Sequence, residues 1–224
     1  MLEVKEVTKK YGGLIALDSV SVDFKKEGVT GIIGPNGSGK TTLLNVISGL
    51  VKPDKGRLYL NGADITDKPV HLRVRLGIAR TFQFPKYFSK FTVLENLTIN
   101  ADEDKAMEAL KLVDLAHKAN TPARNLTMYE IRKLEIARAL ALSPRYILLD
   151  EPLSGLSYEE SISLSNLLKE LSAMGFSLIV VEHKLSILFK YAEKIIVMAS
   201  GRVVANGTPE EIASNRDLVK QLGL

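Results

Sequence analysis

A glycine-rich segment that ends in lysine and threonine carries the clearest chemistry in the sequence. It reads Gly34-Pro35-Asn36-Gly37-Ser38-Gly39-Lys40-Thr41-Thr42. Its glycines let successive main-chain N–H groups turn toward one anionic centre, and a following helix would add about half a positive charge. We expect Lys40 to reach the β- and γ-phosphates of a nucleoside triphosphate, Thr41 to bind a bridging magnesium ion, and Thr42 to donate to a phosphate oxygen. The segment predicts a triphosphate site; the alternative is a glycine-rich turn with a chance lysine.

Two adjacent carboxylates, Asp150 and Glu151, follow the apolar run 146–149, which is typical of a buried strand. Open α/β sheets bind their ligands at the carboxyl ends of such strands. We therefore expect Asp150 to help hold magnesium and Glu151 to polarise an attacking water. The alternative is a solvated acidic turn that caps the next element.

Three further side chains could complete this site. His183 follows a second buried run, 178–181, and could contact the γ-phosphate or help hold the water. Gln83 lies at the seam between a sheet and a helical region and could contact a metal or water. Tyr11, which we expect in a loop, could stack on a purine. Taken alone, such a histidine is more often structural, and an exposed tyrosine usually has no role.

The elements that must position these residues alternate between strand and helix periodicity. Residues 1–30 alternate as two antiparallel strands, 29–33 form a short buried strand, and Leu43, Leu44, Ile47 and Leu50 recur at helical spacing. Residues 57–62 are expected to be an edge strand that begins the core sheet. The tail predicts a strand at 195–198, a hairpin around Gly201 and a helix capped by Thr208.

These elements predict an α/β fold: a P-loop NTPase core with a parallel sheet, an N-terminal antiparallel β layer and an inserted helical subdomain. We expect a single domain over 1–224 that binds a nucleoside triphosphate. Its helical subdomain is placed at about 85–142, and its core sheet is drawn from about 1–84 and 143–224.

Composition narrows the class of protein further. The chain has 224 residues, 46% of them hydrophobic, with 30 basic against 26 acidic residues and no cysteine. Its charges are interspersed, which argues against nucleic acid as a partner. No apolar run approaches the ~18 residues of a membrane span, and the charged start is unlike a signal peptide. We expect a cytoplasmic protein, although it could still dock onto a separate protein that spans the membrane.

The order of these motifs resembles the ATP-binding subunit of ABC transporters. That order is Tyr11, the segment 34–42, Gln83, a helix opening at 126–130, the pair Asp150 and Glu151, and His183. Within the family, Gly77-Ile78-Ala79-Arg80-Thr81-Phe82-Gln83 and the segment 91–97 look like the branched-chain amino-acid importer subgroup, with amide or urea importers close by.

The resemblance implies a head-to-tail pair of subunits that sandwiches two ATP molecules. Tyr11 would contact adenine, Lys40 and Thr41 the phosphates and metal, and Asp150 and Gln83 the Mg²⁺ ion. Glu151 would be the catalytic base and His183 the γ-phosphate contact. The segment 84–88 would lie near the groove that receives a helix of a membrane-spanning permease, which would hold the chain on the inner face of the membrane.

Two departures from the family pattern fall on the face that serves the partner's nucleotide. The family's Leu-Ser-Gly-Gly-Gln signature aligns with Leu126-Thr127-Met128-Tyr129-Glu130, and Ser157 replaces a usual aspartate. Glu130 would bring negative charge toward a phosphate, and its spacing from Thr127 predicts a capping box that uses donors the phosphate needs. Because the residues for the chain's own nucleotide match the family pattern, we predict an asymmetric heterodimer with one impaired site. A homodimer would turn over slowly.

Other classes remain alternatives. One is a soluble ABC-type module that acts in translation or DNA repair, although such proteins usually carry two domains or a long coiled coil. Another is a P-loop kinase or GTPase, but we find no guanine-reading motif, and paired carboxylates favour hydrolysis by water.

Overall fold

The strands and helices alternate along the chain in the computed structural model, which describes residues 1–81, 83, 86–215 and 218. The described strands are β1 (Leu2–Tyr11), β2 (Leu14–Phe24), β3 (Gly28–Ile33), β4 (Lys55–Leu60), β5 (Ala63–Asp64), β6 (Ile78–Arg80), β7 (Tyr146–Asp150), β8 (Ser177–Val181), β9 (Lys194–Ala199) and β10 (Arg202–Gly207). The described helices are α1 (Lys40–Ser48), α2 (Val70–Arg75), α3 (Val93–Thr98), α4 (Glu103–Leu112), α5 (Met128–Leu140), α6 (Tyr158–Ala173), α7 (Leu185–Leu188) and α8 (Pro209–Ser214).

A six-stranded sheet forms the centre, in the order β10-β9-β3-β8-β7-β6. Strands β9, β3, β8, β7 and β6 are parallel, and β10 is antiparallel to β9. Every residue of β3, β7 and β8 is buried, because two hydrophobic clusters cover the opposite faces of the sheet. The predicted α/β core with a parallel sheet is confirmed. Strands β3, β7 and β8 end at the same edge, which brings together the segments that follow them.

A second sheet is antiparallel, with the order β2-β1-β4-β5. Strand β4 pairs with β1, so the prediction that residues 57–62 begin the core sheet is wrong. Its burial alternates, as expected for a strand with one covered face. The prediction that Tyr11 lies in a loop is also wrong. Tyr11 ends β1 and pairs with Leu14 across a tight turn. Gly12, at φ 57°, makes that turn short enough for pairing to continue to Tyr11.

Helix α1 is closed at its end by a buried arginine. The guanidinium of Arg73 donates to the carbonyl oxygens of Val46 and Ile47 in α1 and to those of Thr66 and Lys68. The helix stops at Ser48 with Gly49 at φ 81°, so the prediction from helical spacing that Leu50 belongs to this helix is wrong. Arg73 thus satisfies carbonyl groups that a helix end leaves without partners.

Helices α3, α4 and α5 follow β6 and precede β7 along the chain, and they pack on one another. They fall within 85–142, where we expect a helical subdomain; its status as a separate unit stays a prediction. Within the part of the chain that the structure describes, no helix has the length and apolar character needed to cross a membrane.

Candidate nucleotide-binding site

The glycine-rich segment connects the buried end of β3 to the start of α1, as predicted. Gly39 has φ 102°, and a Cβ there would lie 2.5 Å from the carbonyl oxygen of Ala16. Gly34 has φ 148°, and a Cβ there would overlap the carbonyl oxygen of Met198. Both positions therefore require glycine, and the segment forms a tight main-chain cradle at a helix N-terminus.

Lys40 lies inside this cradle and is buried. Its Nζ donates to the carbonyl oxygens of Gly34 and Pro35 at 2.8 and 2.9 Å. Burial lowers the pKa of Lys40, whereas Glu151 and Asp150 act in the opposite direction. The ammonium group is thus held within the loop by main-chain oxygens, where its charge would favour a bound anion.

The hydroxyl of Ser38 gives a further sign that the loop fits a phosphate. Its Oγ is buried and has no hydrogen-bond partner among the described residues. Buried hydroxyls in proteins are usually hydrogen-bonded. Ser38 therefore offers a donor that a phosphate oxygen would satisfy.

Asp150 ends strand β7 beside the first turn of α1. The hydroxyl of Thr41 lies 3.5 Å from Oδ1 of Asp150, and Arg80 binds Oδ2 at 3.0 Å. Burial raises the pKa of Asp150, and the charge of Arg80 opposes that rise. A hydroxyl and a carboxylate oxygen facing each other are ligands that Mg²⁺ accepts, and Mg²⁺ takes most of its remaining ligands from water and phosphate. Among the described residues, no cluster of three or more His, Cys, Asp or Glu could hold a metal ion.

Two of the three predicted catalytic side chains, Gln83 and His183, contact the third, Glu151. Glu151 accepts a hydrogen bond from Nε2 of Gln83 at 3.0 Å on one carboxylate oxygen, and its other oxygen lies 3.2 Å from Nε2 of His183. Glu151 has φ 52°, and its N–H donates to the carbonyl of Val181 on the neighbouring strand. This left-handed turn after β7 directs the carboxylate toward His183.

Tyr11 stands apart from this group. It is 46% exposed at the tip of the β1–β2 hairpin, and Lys9 Nζ lies 5.7 Å from the centre of its ring. The same hairpin contacts the cradle further along, where Ala16 abuts Gly39. The contact of Tyr11 with adenine stays a prediction.

Glu182 is a buried anchor that the sequence analysis did not identify. Its carboxylate accepts hydrogen bonds from the main-chain N–H groups of Leu153, His183 and Lys184. It therefore ties the segment after Glu151 to the segment that holds His183. Its position next to His183 at a strand end was the available signal.

Arg132 on α5 was also missed. Its guanidinium donates to the carbonyl oxygens of Gln83 and Ser154 and pairs with Glu135, all at 3.0 to 3.2 Å. Nothing in the sequence around Arg132 distinguishes it from a solvated helical arginine.

The altered signature segment begins helix α5 with the predicted capping box, which is confirmed. Thr127 Oγ1 accepts from the N–H of Glu130, and Oε2 of Glu130 accepts from the N–H of Thr127. The other oxygen of Glu130 pairs with Lys118. Burial works to raise the pKa of Glu130, but hydrogen bonds from Lys118 and Thr127 bring it below its usual value. Part of the negative charge expected to face a phosphate is thus neutralised.

Met128 and Tyr129, which lie between Thr127 and Glu130, have bulky side chains. Met128 is 46% exposed, and the ring of Tyr129 lies under Lys133 Nζ at 5.3 Å. Side chains at these two positions would keep a phosphate away from the main chain, which glycine would leave accessible. The segment therefore differs from the usual signature in shape as well as in charge.

Comparison with known proteins shows a close family relationship. The family model described as "ABC transporter" matches residues 17–154. The chain is 38% identical to a probable branched-chain amino acid transport ATP-binding protein, LivG, of Archaeoglobus fulgidus, over 98% of this chain and 94% of that protein. It is 34% identical to the high-affinity branched-chain amino acid transport ATP-binding protein BraF of Pseudomonas aeruginosa, over 98% and 96% of the two chains.

Solved structures give the same result. A nucleotide-free ATP-binding cassette from an ABC transporter superposes with a TM-score of 0.92 at 34% identity, covering 99% of this chain and 98% of that one. A dimeric ATP-binding cassette in a post-hydrolysis state, bound to ADP and Pi, superposes with a TM-score of 0.81 at 30% identity, covering 93% and 99%.

Proposed function

The chain belongs to the ABC transporter family as an ATP-hydrolysing subunit, and on that premise we propose that it powers the import of branched-chain amino acids or a related small solute. The contact of Gln83, Glu151 and His183 beside the cradle carries the hydrolytic part of this proposal. The solute class rests on the names of the relatives, which are transport proteins. Those names do not favour the alternative of a module acting in translation or DNA repair.

The cradle supplies the binding half of the reaction. Main-chain N–H groups of the segment 34–42 and the ammonium of Lys40 would contact the phosphate chain of ATP, with Ser38 Oγ as a further donor. Thr41, Asp150 and Gln83 would hold Mg²⁺, which neutralises charge on the β- and γ-phosphate oxygens when bound.

Glu151 would act on the attacking water. One carboxylate oxygen would accept its proton as the water oxygen bonds to the γ-phosphorus and the bond from that phosphorus to the bridging oxygen breaks, which releases ADP and phosphate. Gln83 and His183 hold the two oxygens of Glu151, which limits their rotation. We further propose that His183 contacts the γ-phosphate when ATP is bound.

ATP-binding subunits of ABC transporters act as dimers with membrane permease partners, and we propose a heterodimer here. The capping box uses Thr127 and Glu130 internally, while Thr41 and Asp150, which we propose for the chain's own nucleotide, face each other. A partner with the usual signature would complete the competent site. The chain would sit on the cytoplasmic face of the membrane through its permease.

A stacked pair of exposed rings marks the side on which the permease would dock. Phe88 and Phe91 have centroids 5.3 Å apart and are each more than 40% exposed. Phe84 and Pro85, which belong to the predicted docking segment, lie outside the described residues. Exposed aromatic side chains suit a partner helix.

The cradle is tested by replacing Lys40 with alanine. We expect Lys40→Ala to abolish ATP binding and Mg²⁺-dependent phosphate release, because it removes the buried cation at the mouth of the loop. Lys52→Ala is the matched control, since Lys52 is an exposed lysine paired with Asp67. Micromolar ATP binding by Lys40→Ala would overturn the assignment.

The heterodimer is tested by restoring the usual signature in the purified chain. We expect slow hydrolysis from the wild type and a rise after Thr127→Ser, Met128→Gly, Tyr129→Gly and Glu130→Gln. Sedimentation of Glu151→Gln in ATP should show no stable homodimer. The control is Thr208→Ser with Glu211→Gln, in the capping box of α8. Fast wild-type turnover with an ATP-induced homodimer would refute the heterodimer.

A further inference from the structure

A buried arginine at the end of β6 joins three parts of the site. Arg80 Nη2 binds Oδ2 of Asp150 at 3.0 Å, and Nη1 donates to Oδ1 of Asn45 at 2.7 Å and to Oγ of Ser48 at 3.1 Å. The side chains of Arg80 and Asp150 are only 7% and 2% exposed. Asn45 and Ser48 lie on α1, the helix that carries Thr41.

The two oxygens of Asp150 therefore have separate partners. Oδ2 is bound by Arg80, and Oδ1 faces the hydroxyl of Thr41 at 3.5 Å. We propose that Arg80 is a positioning residue for the magnesium site: it fixes Asp150 so that Oδ1 and the Thr41 hydroxyl converge on one metal. This inference rests on the proposed function, since it takes these two groups as metal ligands.

The geometry of the arginine supports this role. Asn45 lies one helical turn after Thr41, so Arg80 is aimed by the same helix face that presents the hydroxyl. Its planar guanidinium binds α1 with one nitrogen and the carboxylate with another, which sets their separation. Lysine carries the same charge but cannot reproduce that fork. Groups that orient a metal ligand typically change metal affinity or activity by about 10- to 100-fold when they are removed.

The simpler alternative is that Arg80 only neutralises the charge of the buried Asp150 carboxylate. Removing it would then reduce stability, because Asp150 would be left as an unpaired buried charge. The nucleotide affinity of the folded protein, however, would still respond to Mg²⁺ as that of the wild type does. Stability and metal response thus separate the two readings.

The experiment measures binding of a fluorescent, non-hydrolysable ATP analogue to the full chain, with Mg²⁺ and with EDTA. The ratio of the two dissociation constants reports the contribution of the metal. We expect Arg80→Gln to reduce this ratio by about 10- to 100-fold and Arg80→Lys to recover only part of it. Affinity in EDTA should change by about twofold or less. Arg57→Gln, which removes an exposed arginine paired with Asp64, should leave both constants unchanged.

Two further variants guard against a simple folding failure. Asn45→Ala leaves the Arg80–Asp150 pair but removes one contact that aims it, so the ratio should fall by about twofold to tenfold, the effect of one hydrogen bond. In an Asp150→Asn background, Arg80→Gln should change the ratio by about twofold or less, because the two residues act together.

The outcomes are distinct. An unchanged or increased ratio in folded Arg80→Gln, or a full effect of Arg80→Gln in the Asp150→Asn background, would overturn the role of Arg80. If the wild type bound no nucleotide either in EDTA or with Mg²⁺, the proposed nucleotide site itself would be wrong.

Discussion

Replacing Glu182 with glutamine should weaken the connection between the two segments that carry the proposed catalytic side chains Glu151 and His183. The carboxylate is 3% exposed; Oε1 accepts from Leu153 N at 2.8 Å, and Oε2 accepts from His183 N and Lys184 N at 2.9 and 3.1 Å. Glutamine retains a single acceptor oxygen. Its least costly orientation keeps that oxygen on His183 and Lys184 and turns the NH₂ group against Leu153 N.

The expected loss follows from this arrangement. One charge-assisted hydrogen bond, worth about 1.5–3 kcal/mol, is removed, and a buried N–H is left facing another donor at a cost of about 1–3 kcal/mol. These two contributions overlap, because the cost of the unpaired N–H already includes part of the lost bond, so we expect the free energy of unfolding to fall by about 3 kcal/mol. For a chain of this size, that lowers Tm by about 6–12 °C. Hydrolysis should fall by about 10-fold or more, because the segment after Glu151 loses its anchor.

The assay pairs urea unfolding with phosphate release for wild type, Glu182→Gln and Glu211→Gln. Glu211 is the matched control, because its carboxylate also accepts a main-chain N–H, from Thr208, but is exposed. Its replacement should cost about 1 kcal/mol or less. If both variants lost the same small amount of stability, the reasoning that buried carboxylate bonds hold the two segments together would be refuted.

Three more substitutions, and one control, have defined outcomes. Glu151→Gln should keep ATP binding but slow phosphate release by about 10²- to 10⁴-fold, the usual effect of a positioned base; an unchanged rate would remove Glu151 from that role. Arg73→Met should lower the free energy of unfolding by about 3–5 kcal/mol, because four carbonyl groups lose their donor. The exposed Arg202→Met should cost about 1 kcal/mol or less in the same urea titration, and equal losses would contradict this account. Tyr11→Ala should weaken ATP binding by about 1–3 kcal/mol in a fluorescence titration; an unchanged affinity would exclude stacking.

The parts of the site that depend on local chain geometry could be predicted from the sequence. The cradle follows from glycine spacing between a strand and a helix, and Asp150, Glu151 and His183 follow from strands that end at one edge. The contact between Glu151 and His183 agrees with the expectation that such side chains converge. The capping box at Thr127 is equally local and was predicted from a three-residue spacing.

What the sequence did not reveal depends on long-range packing. Arg80 binds a carboxylate 70 positions away, and Arg132 binds a carbonyl 49 positions away. No spacing rule identifies such partners, because they are set by how strands and helices are stacked. The sheet membership of β4 was mistaken for the same reason: alternation predicts a strand but does not name its neighbour. The pairing of Glu130 with Lys118 likewise required the turn between α4 and α5.

Arg132 connects the loop that contains Gln83 to the loop that contains Ser154. Its guanidinium is a rigid plane, and its nitrogens bind the carbonyl of Gln83 on one side and that of Ser154 on the other. The spacing of those loops is therefore set by the width of one planar group carried on α5. A displacement of this helix is shared by both loops. The segment proposed to face a partner's nucleotide and the Gln83 side chain beside Glu151 are thus connected through Arg132.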